Sequence, residues 1–256
     1  MKSLIALFPT VLFVMPVQGN AQSSVPDTPA AREARETAPQ LFAYTRDVLF
    51  GDLWKRPELV PRDRSLVTLS ALLANGQAAQ MTSHINLALD NGLKPGEIVA
   101  LITQLAFYSG WPNAMSAVGV AKDVFAQRGI QPDKLPREST KLLPVDEAAE
   151  AQRAAIVKEN IAPMAPDLAR YTDEVLFADL WRQPDLTARD RSLVTTAALI
   201  ARGQLDQLPY YLSRAKEDGL TKTQAAEVAT QLAFYAGWPR AMSALPIIKT
   251  VYAERN

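Results

Sequence analysis

A seven-residue string, RDRSLVT, occupies Arg62 to Thr68 and returns unchanged at Arg189 to Thr195, 127 positions later. The same offset, without a gap, carries Asp52-Leu53-Trp54 onto Asp179-Leu180-Trp181 and Thr103 to Tyr108 (TQLAFY) onto Thr230 to Tyr235. It also carries Gly110-Trp111-Pro112 onto Gly237-Trp238-Pro239. This period exceeds the roughly 20 to 50 residues of stacked solenoid repeats, so each copy is expected to be a whole domain. At 256 residues and 48% apolar content, the chain can bury one large core or two modest ones.

Within copy one, Leu66, Leu69, Leu72 and Leu73 recur at helical spacing after Pro61, and Asn75-Gly76 supplies a stop, which predicts an amphipathic helix. A second helix runs through His84 to Asp90 and closes on Asn91-Gly92. A third starts after Pro95 with Ile98, Leu101, Ile102, Leu105 and Tyr108 apolar. Gly110-Trp111-Pro112 breaks the chain before a fourth helix, Asn113 to Gln127, expected to turn Met115, Val118 and Phe125 inward. No alternating strand pattern occurs, and the fold class is all-α. The expected layout is a signal peptide over 1–21, an N-terminal linker over 22–40, domain one over 41–128, a linker with a lead-in helix (Val145 to Asn160) over 129–160, and domain two over 161–256.

The first residues, with Lys2 ahead of an apolar run from Leu4 to Val17 broken by Pro9, read as an export signal cleaved near Ala21-Gln22. That run is short of the roughly 20 residues of a membrane span, so a soluble periplasmic or secreted product without stable membrane insertion is expected. Twenty-seven basic residues balance 27 acidic ones, leaving no field to gather nucleic acid. There is no cysteine, which excludes disulfides, thiol catalysis and thiolate metal sites. With one histidine besides, neither a metal site nor any other cofactor is expected.

The two copies diverge in one stretch. Between Met81 and Ile102 only Ala88, Gly92 and Leu93 match their counterparts, and His84, the single histidine, becomes Tyr211 while Glu97 becomes Gln224. Imidazole changes charge near neutral pH, which suits general acid or base work, although a helix-surface histidine without chemistry is the alternative. Glu97 also fits a helix-start role, since copy two reads Thr221-Lys222-Thr223-Gln224 there, a capping box. Arg62, Asp63, Arg64, Tyr108 and Trp111 recur in both copies, which favours ion pairs that fasten helices and an aromatic anchor over ligand contacts.

The run RDRSLVT, then His84, then Asn91-Gly92-Leu93, then AFYSGWPNAMSAVGVAKDVF ending at Phe125, resembles the carboxymuconolactone decarboxylase family, and the likeness covers both copies. The resemblance implies alkylhydroperoxidase D-like helical domains assembled as a ring of six, hence a homotrimer of this two-domain chain, with sites between helices near domain interfaces. Its peroxidase branch has a C-x-x-C-x-x-x-H arrangement that falls here on Gln77, Gln80 and His84, and without the thiolate that chemistry is untenable. Many members have glutamate at the place of Ser65, a carboxylate this chain lacks in both copies.

Under the decarboxylase branch, a small-molecule substrate with a carboxyl group and a lactone or conjugated carbonyl needs only positioning and a proton. His84 is then the candidate proton donor, Tyr108 the hydrogen-bond donor to a developing enolate, and Glu97 a third catalytic candidate. Arg62, Arg64 and Trp111 are the candidate substrate-binding residues. The resulting expectation is a cofactor-independent lyase or isomerase with copy one catalytic. The alternative is a non-enzymatic exported scaffold or small-molecule binding protein.

Overall fold

The computed structural model describes residues 25–137 and 139–253. The expected signal peptide lies outside the described residues. Among these the protein is helical and without strands, and no helix is long and apolar enough to cross a membrane.

An N-terminal helix, α1 (Pro29–Thr37), is capped by the Thr28 hydroxyl, which accepts from the Ala31 amide. Residues 22–40, expected as a linker, thus contain α1 and the start of α2. Copy one comprises α2 (Pro39–Tyr44), which continues into a π-helical turn at Thr45–Leu49, a 3₁₀ turn at Leu53–Lys55, α3 (Pro61–Ala74), α4 (Ala78–Asp90), α5 (Pro95–Ser109) and α6 (Trp111–Gln127). After a proline-rich stretch, α7 (Glu147–Asn160) leads into copy two. There α8 (Pro166–Tyr171), a π turn at Thr172–Phe177, a 3₁₀ turn at Leu180–Arg182, α9 (Ala188–Arg202), α10 (Leu208–Glu217), α11 (Lys222–Ala236) and α12 (Trp238–Val251) repeat the order. The punctuation is local: Pro61 and Pro95 open their helices, and Gly110 and Gly237, at φ 89° and 96°, make the break that only glycine tolerates before each Trp-Pro.

The two copies share one continuous core. At its centre α3 packs against α9, and both are flanked by α5 and α11. From Asp63 to Ala74 every residue of α3 is buried, so the helix expected to be amphipathic is enclosed on all sides. The face that would meet water in a lone domain is covered by α9. On α6 the core-facing residues are Ala114, Ala117, Ala121, Val124 and Phe125, whereas Met115 and Val118, expected inward, are exposed. They continue an outer apolar face that begins at Trp111 and Phe107.

The contacts between copies come in reciprocal pairs. Arg62 donates to Asp190 and Arg189 to Asp63, each at 2.7 Å. Gln231 donates to Thr68 and Gln104 to Thr195. When residue i of one copy meets j of the other, and j's duplicate meets i's duplicate, the pairing is that of a two-fold interface. The chain is a covalent pseudo-dimer, and each copy completes structure on the other.

Candidate active site

His84 sits on α4 and faces an aromatic group assembled from both copies. Trp54, from the 3₁₀ turn after α2, stacks on the imidazole with centroids 6.1 Å apart and planes at 19°. Tyr235, at the end of α11 in copy two, meets the imidazole edge-on at 5.2 Å. Trp54 Nε1 donates to Tyr235 Oη at 2.9 Å, and Phe50 stacks behind Trp54. His84, Tyr235 and Phe50 border a cavity of about 390 Å³, with Trp54 packed against these rings, and its polar lining includes Gln77, Gln80, Ser83 and Thr45. Val25 to Ala34, the segment leading into and along α1, forms another wall, so the stretch read as linker is part of the site.

No arginine or lysine lines this cavity among the described residues. Burial without a carboxylate neighbour pulls the His84 pKa down to about 4, so the imidazole is neutral at neutral pH. Its Nδ1 is buried without a hydrogen-bond partner. Burial likewise raises the Tyr235 hydroxyl beyond the usual phenol range, keeping it protonated. The pocket therefore offers a neutral imidazole and a neutral phenol to whatever enters it. An arriving anion would supply the counter-charge that imidazolium lacks in the free protein.

The duplicate positions make a second aromatic group of different character. Trp181 Nε1 donates to Tyr108 Oη at 2.8 Å, repeating the Trp54–Tyr235 bond with the copies exchanged. Tyr211, standing where copy one has His84, closes on Tyr108 through a 2.9 Å hydroxyl contact and stacks on Trp181. Arg214 covers the Trp181 ring at 4.3 Å and pairs with Glu150 of α7. Arg153, also from α7, covers Phe177 and pairs with Glu150 and Asp173. Larger side chains and the lead-in helix thus occupy the space that copy one leaves open around His84.

Of the six candidate site residues, only His84 lines its cavity. Tyr108 belongs to the other aromatic group, because the two-fold exchange sends it across to copy two; its duplicate Tyr235 is the tyrosine beside His84. Glu97 accepts from the Lys94 amide at 2.7 Å, capping α5, and from Arg62 at 2.7 Å. Arg62 is held between Glu97 and Asp190, and Arg64 is fully buried against Glu227, Gln231 and the Arg56 carbonyl. Both arginines fasten the copies together. Trp111 is exposed outside the cavity, edge-on to Phe107. Tyr235 and Trp54 were missed, although the repeat offset combined with a two-fold pairing would have pointed to Tyr235.

The model of the carboxymuconolactone decarboxylase family matches residues 39–123 and again 166–250. A 4-carboxymuconolactone decarboxylase of Acinetobacter baylyi is 35% identical over 89 residues, 35% of this chain and 66% of that protein. An uncharacterised 15.0 kDa protein of Paracoccus denitrificans is 33% identical over 95 residues, 36% of this chain and 71% of its own length. A nitrosuccinic acid decarboxylase of Metarhizium robertsii is 30% identical over 73 residues, covering 28% of this chain and 51% of that protein. The match thus spans just under two thirds of the first of these relatives and about half of the third.

Proposed function

This chain belongs to the carboxymuconolactone decarboxylase family over both of its copies, and from that premise we propose that it is a lyase acting in the His84 pocket. Its substrate is a small carboxylic acid in which a lactone or conjugated carbonyl accepts the electron pair left by carbon dioxide. The observation that carries this reading is a neutral imidazole and a neutral phenol facing one aromatic cavity without a cation in its lining. Two decarboxylases among the relatives agree with that class.

The chemistry follows from the environment. A carboxylate entering this cavity exchanges water for aromatic walls, which favours its loss as an uncharged molecule; an arginine there would hold it in place. The anion beside His84 raises its proton affinity, and the imidazole takes one proton from solvent and holds it as imidazolium. The carbon–carbon bond then breaks, carbon dioxide departs, and the electron pair passes to the conjugated carbonyl as an enolate. Tyr235, whose oxygen accepts from Trp54 and which also meets Thr68, turns its proton to a hydrogen bond with the enolate oxygen as that charge develops. The imidazolium proton goes to carbon and His84 returns to neutrality. One proton is consumed for each carbon dioxide released.

The test is carbon dioxide release from a panel of carboxylated lactones and unsaturated keto acids. His84→Gln is expected to lower kcat/KM on the substrate found by about 10²- to 10⁴-fold. Full activity in that variant, or no turnover across the panel, would leave a binding protein as the better reading. The proposal includes export and assembly as a homotrimer. Repeated outer faces, with Trp111 and Met115 on one copy and Trp238 and Met242 on the other, are exposed and apolar, as subunit contacts would be. Sedimentation at the mass of a single chain, 28.0 kDa before processing and less once the signal is removed, would rule out that assembly, and an unprocessed N-terminus in the periplasmic or culture fraction would count against a cleaved signal.

A further inference from the structure

Arg64 and Arg191 are duplicates, both fully buried, and their surroundings agree at two points out of three. Arg64 donates to Gln231 Oε1 and to the Arg56 carbonyl; Arg191 donates to Gln104 Oε1 and to the Gln183 carbonyl. In both, Nε has no partner. The third point differs. Arg64 Nη2 lies 2.7 Å from Glu227 Oε1, and Glu227 also accepts two bonds from Arg56, at 2.9 and 3.0 Å. At the positions of Glu227 and Arg56, the other half of the molecule has Ala100 and Gln183.

Arg191 therefore keeps its buried charge without the carboxylate its twin holds, and among the described residues it forms no ion pair. A guanidinium enclosed in this way is costly unless a counter-charge meets it at contact distance; burial draws its pKa down to about 10 against the weaker opposing pull of Asp185 and Asp179, and it is still charged at neutral pH. A cavity of about 330 Å³ lies against it, with Ala100 and Gln183 in the wall beside apolar Val99, Phe107 and Leu180. The deleted glutamate side chain and the open space are on the same side of the same residue. Arg137 also lines the cavity, as do Asp179 and Asp185. Two arginines and two aspartates give the lining no net charge, which accommodates a single negative charge placed on Arg191 more readily than a dianion.

We propose that this cavity is a second ligand site, separate from the His84 pocket, that binds a small monocarboxylate with an apolar body. The ligand's carboxylate sits on Arg191, in the place that Glu227 takes on Arg64, and its apolar part lies along Val99, Phe107 and Leu180. The site exists in only one half of the molecule because only that half has alanine at the glutamate position.

The probe is benzoate, titrated calorimetrically into the full chain at neutral pH and compared with the His84→Gln, Ala100→Glu and Thr103→Trp variants. Ala100→Glu supplies the missing carboxylate from within the protein, and Thr103→Trp obstructs the exposed rim of the cavity. Binding is expected to persist in His84→Gln and to weaken by about tenfold or more in each of the other two. Two binding events in the wild type, one removed by Ala100→Glu, support the site equally. Failure of millimolar benzoate to bind overturns the proposal. So does binding that disappears with His84→Gln while Ala100→Glu and Thr103→Trp leave it unchanged. If Ala100→Glu does not fold, Thr103→Trp decides alone.

Discussion

The His84 and Tyr211 pockets are built on the same four duplicated positions and differ in what fills them. Around His84 a short lining leaves a cavity, whereas around Tyr211 a longer ring, Arg214 and the α7 arginine close the space. Both pockets borrow a tyrosine from the opposite copy, through the same tryptophan hydrogen bond. The difference teaches that two halves of a two-fold arrangement can diverge in what fills the pocket while each still depends on the other for its tyrosine. Copy two cannot be removed without taking Tyr235 from the pocket in copy one.

The strongest way to break this comparison is at the buried arginines that hold the copies in register. Glu227→Ala leaves Arg64 charged and unpaired, as Arg191 already is, and is expected to cost about 3–5 kcal/mol in urea unfolding. A cost below about 1 kcal/mol would mean that the ion pair is dispensable and the asymmetry between the arginines carries no energetic weight.

A smaller effect distinguishes histidine from tyrosine through pH. The unfolded histidine pKa is near 6.5 and the folded value is about 4. Between these values the unfolded chain binds the extra proton, so stability is fully present above the unfolded pKa and is lost as pH falls towards 4. The wild type should lose up to about 3 kcal/mol more than His84→Gln between pH 7 and pH 4. Tyr211→Phe should leave that loss intact. Parallel pH profiles for the wild type and His84→Gln would show that His84 is not desolvated.

The smallest effect sharpens the crossing of the tyrosines. Under the proposed mechanism, in which the hydroxyl donates to the enolate, Tyr235→Phe should lower kcat/KM about tenfold with KM little changed. Tyr108→Phe should leave activity alone and cost about 1–2 kcal/mol of stability, as it strands both Trp181 Nε1 and the Tyr211 hydroxyl. The reverse assignment, with activity following Tyr108, would contradict the pocket described for His84.

Much of the fold was legible in the chain because its signals are local. Proline at helix starts and glycine at helix ends act within one turn, so α3 to α6 could be placed by Pro61, Gly76, Pro95 and Gly110 without any tertiary information. His84 was legible for a related reason: comparison of the two copies isolates it in the one stretch where they diverge. The partners of His84 were not. Trp54 and Tyr235 lie 30 and 151 positions away, and only the tertiary packing brings both rings against the imidazole.

By itself, then, the sequence determined a duplicated all-helical domain with the histidine in one copy only. Tertiary structure decided which tyrosine faces that histidine, that α3 is enclosed rather than amphipathic, and that Arg62, Arg64 and Glu97 tie helices together instead of lining the pocket. The reason is that periodicity marks which side of a helix is apolar without saying what covers it. Charge and hydroxyl groups likewise announce that they need partners, while the partners themselves are chosen by how α3 and α9 pack across the two-fold.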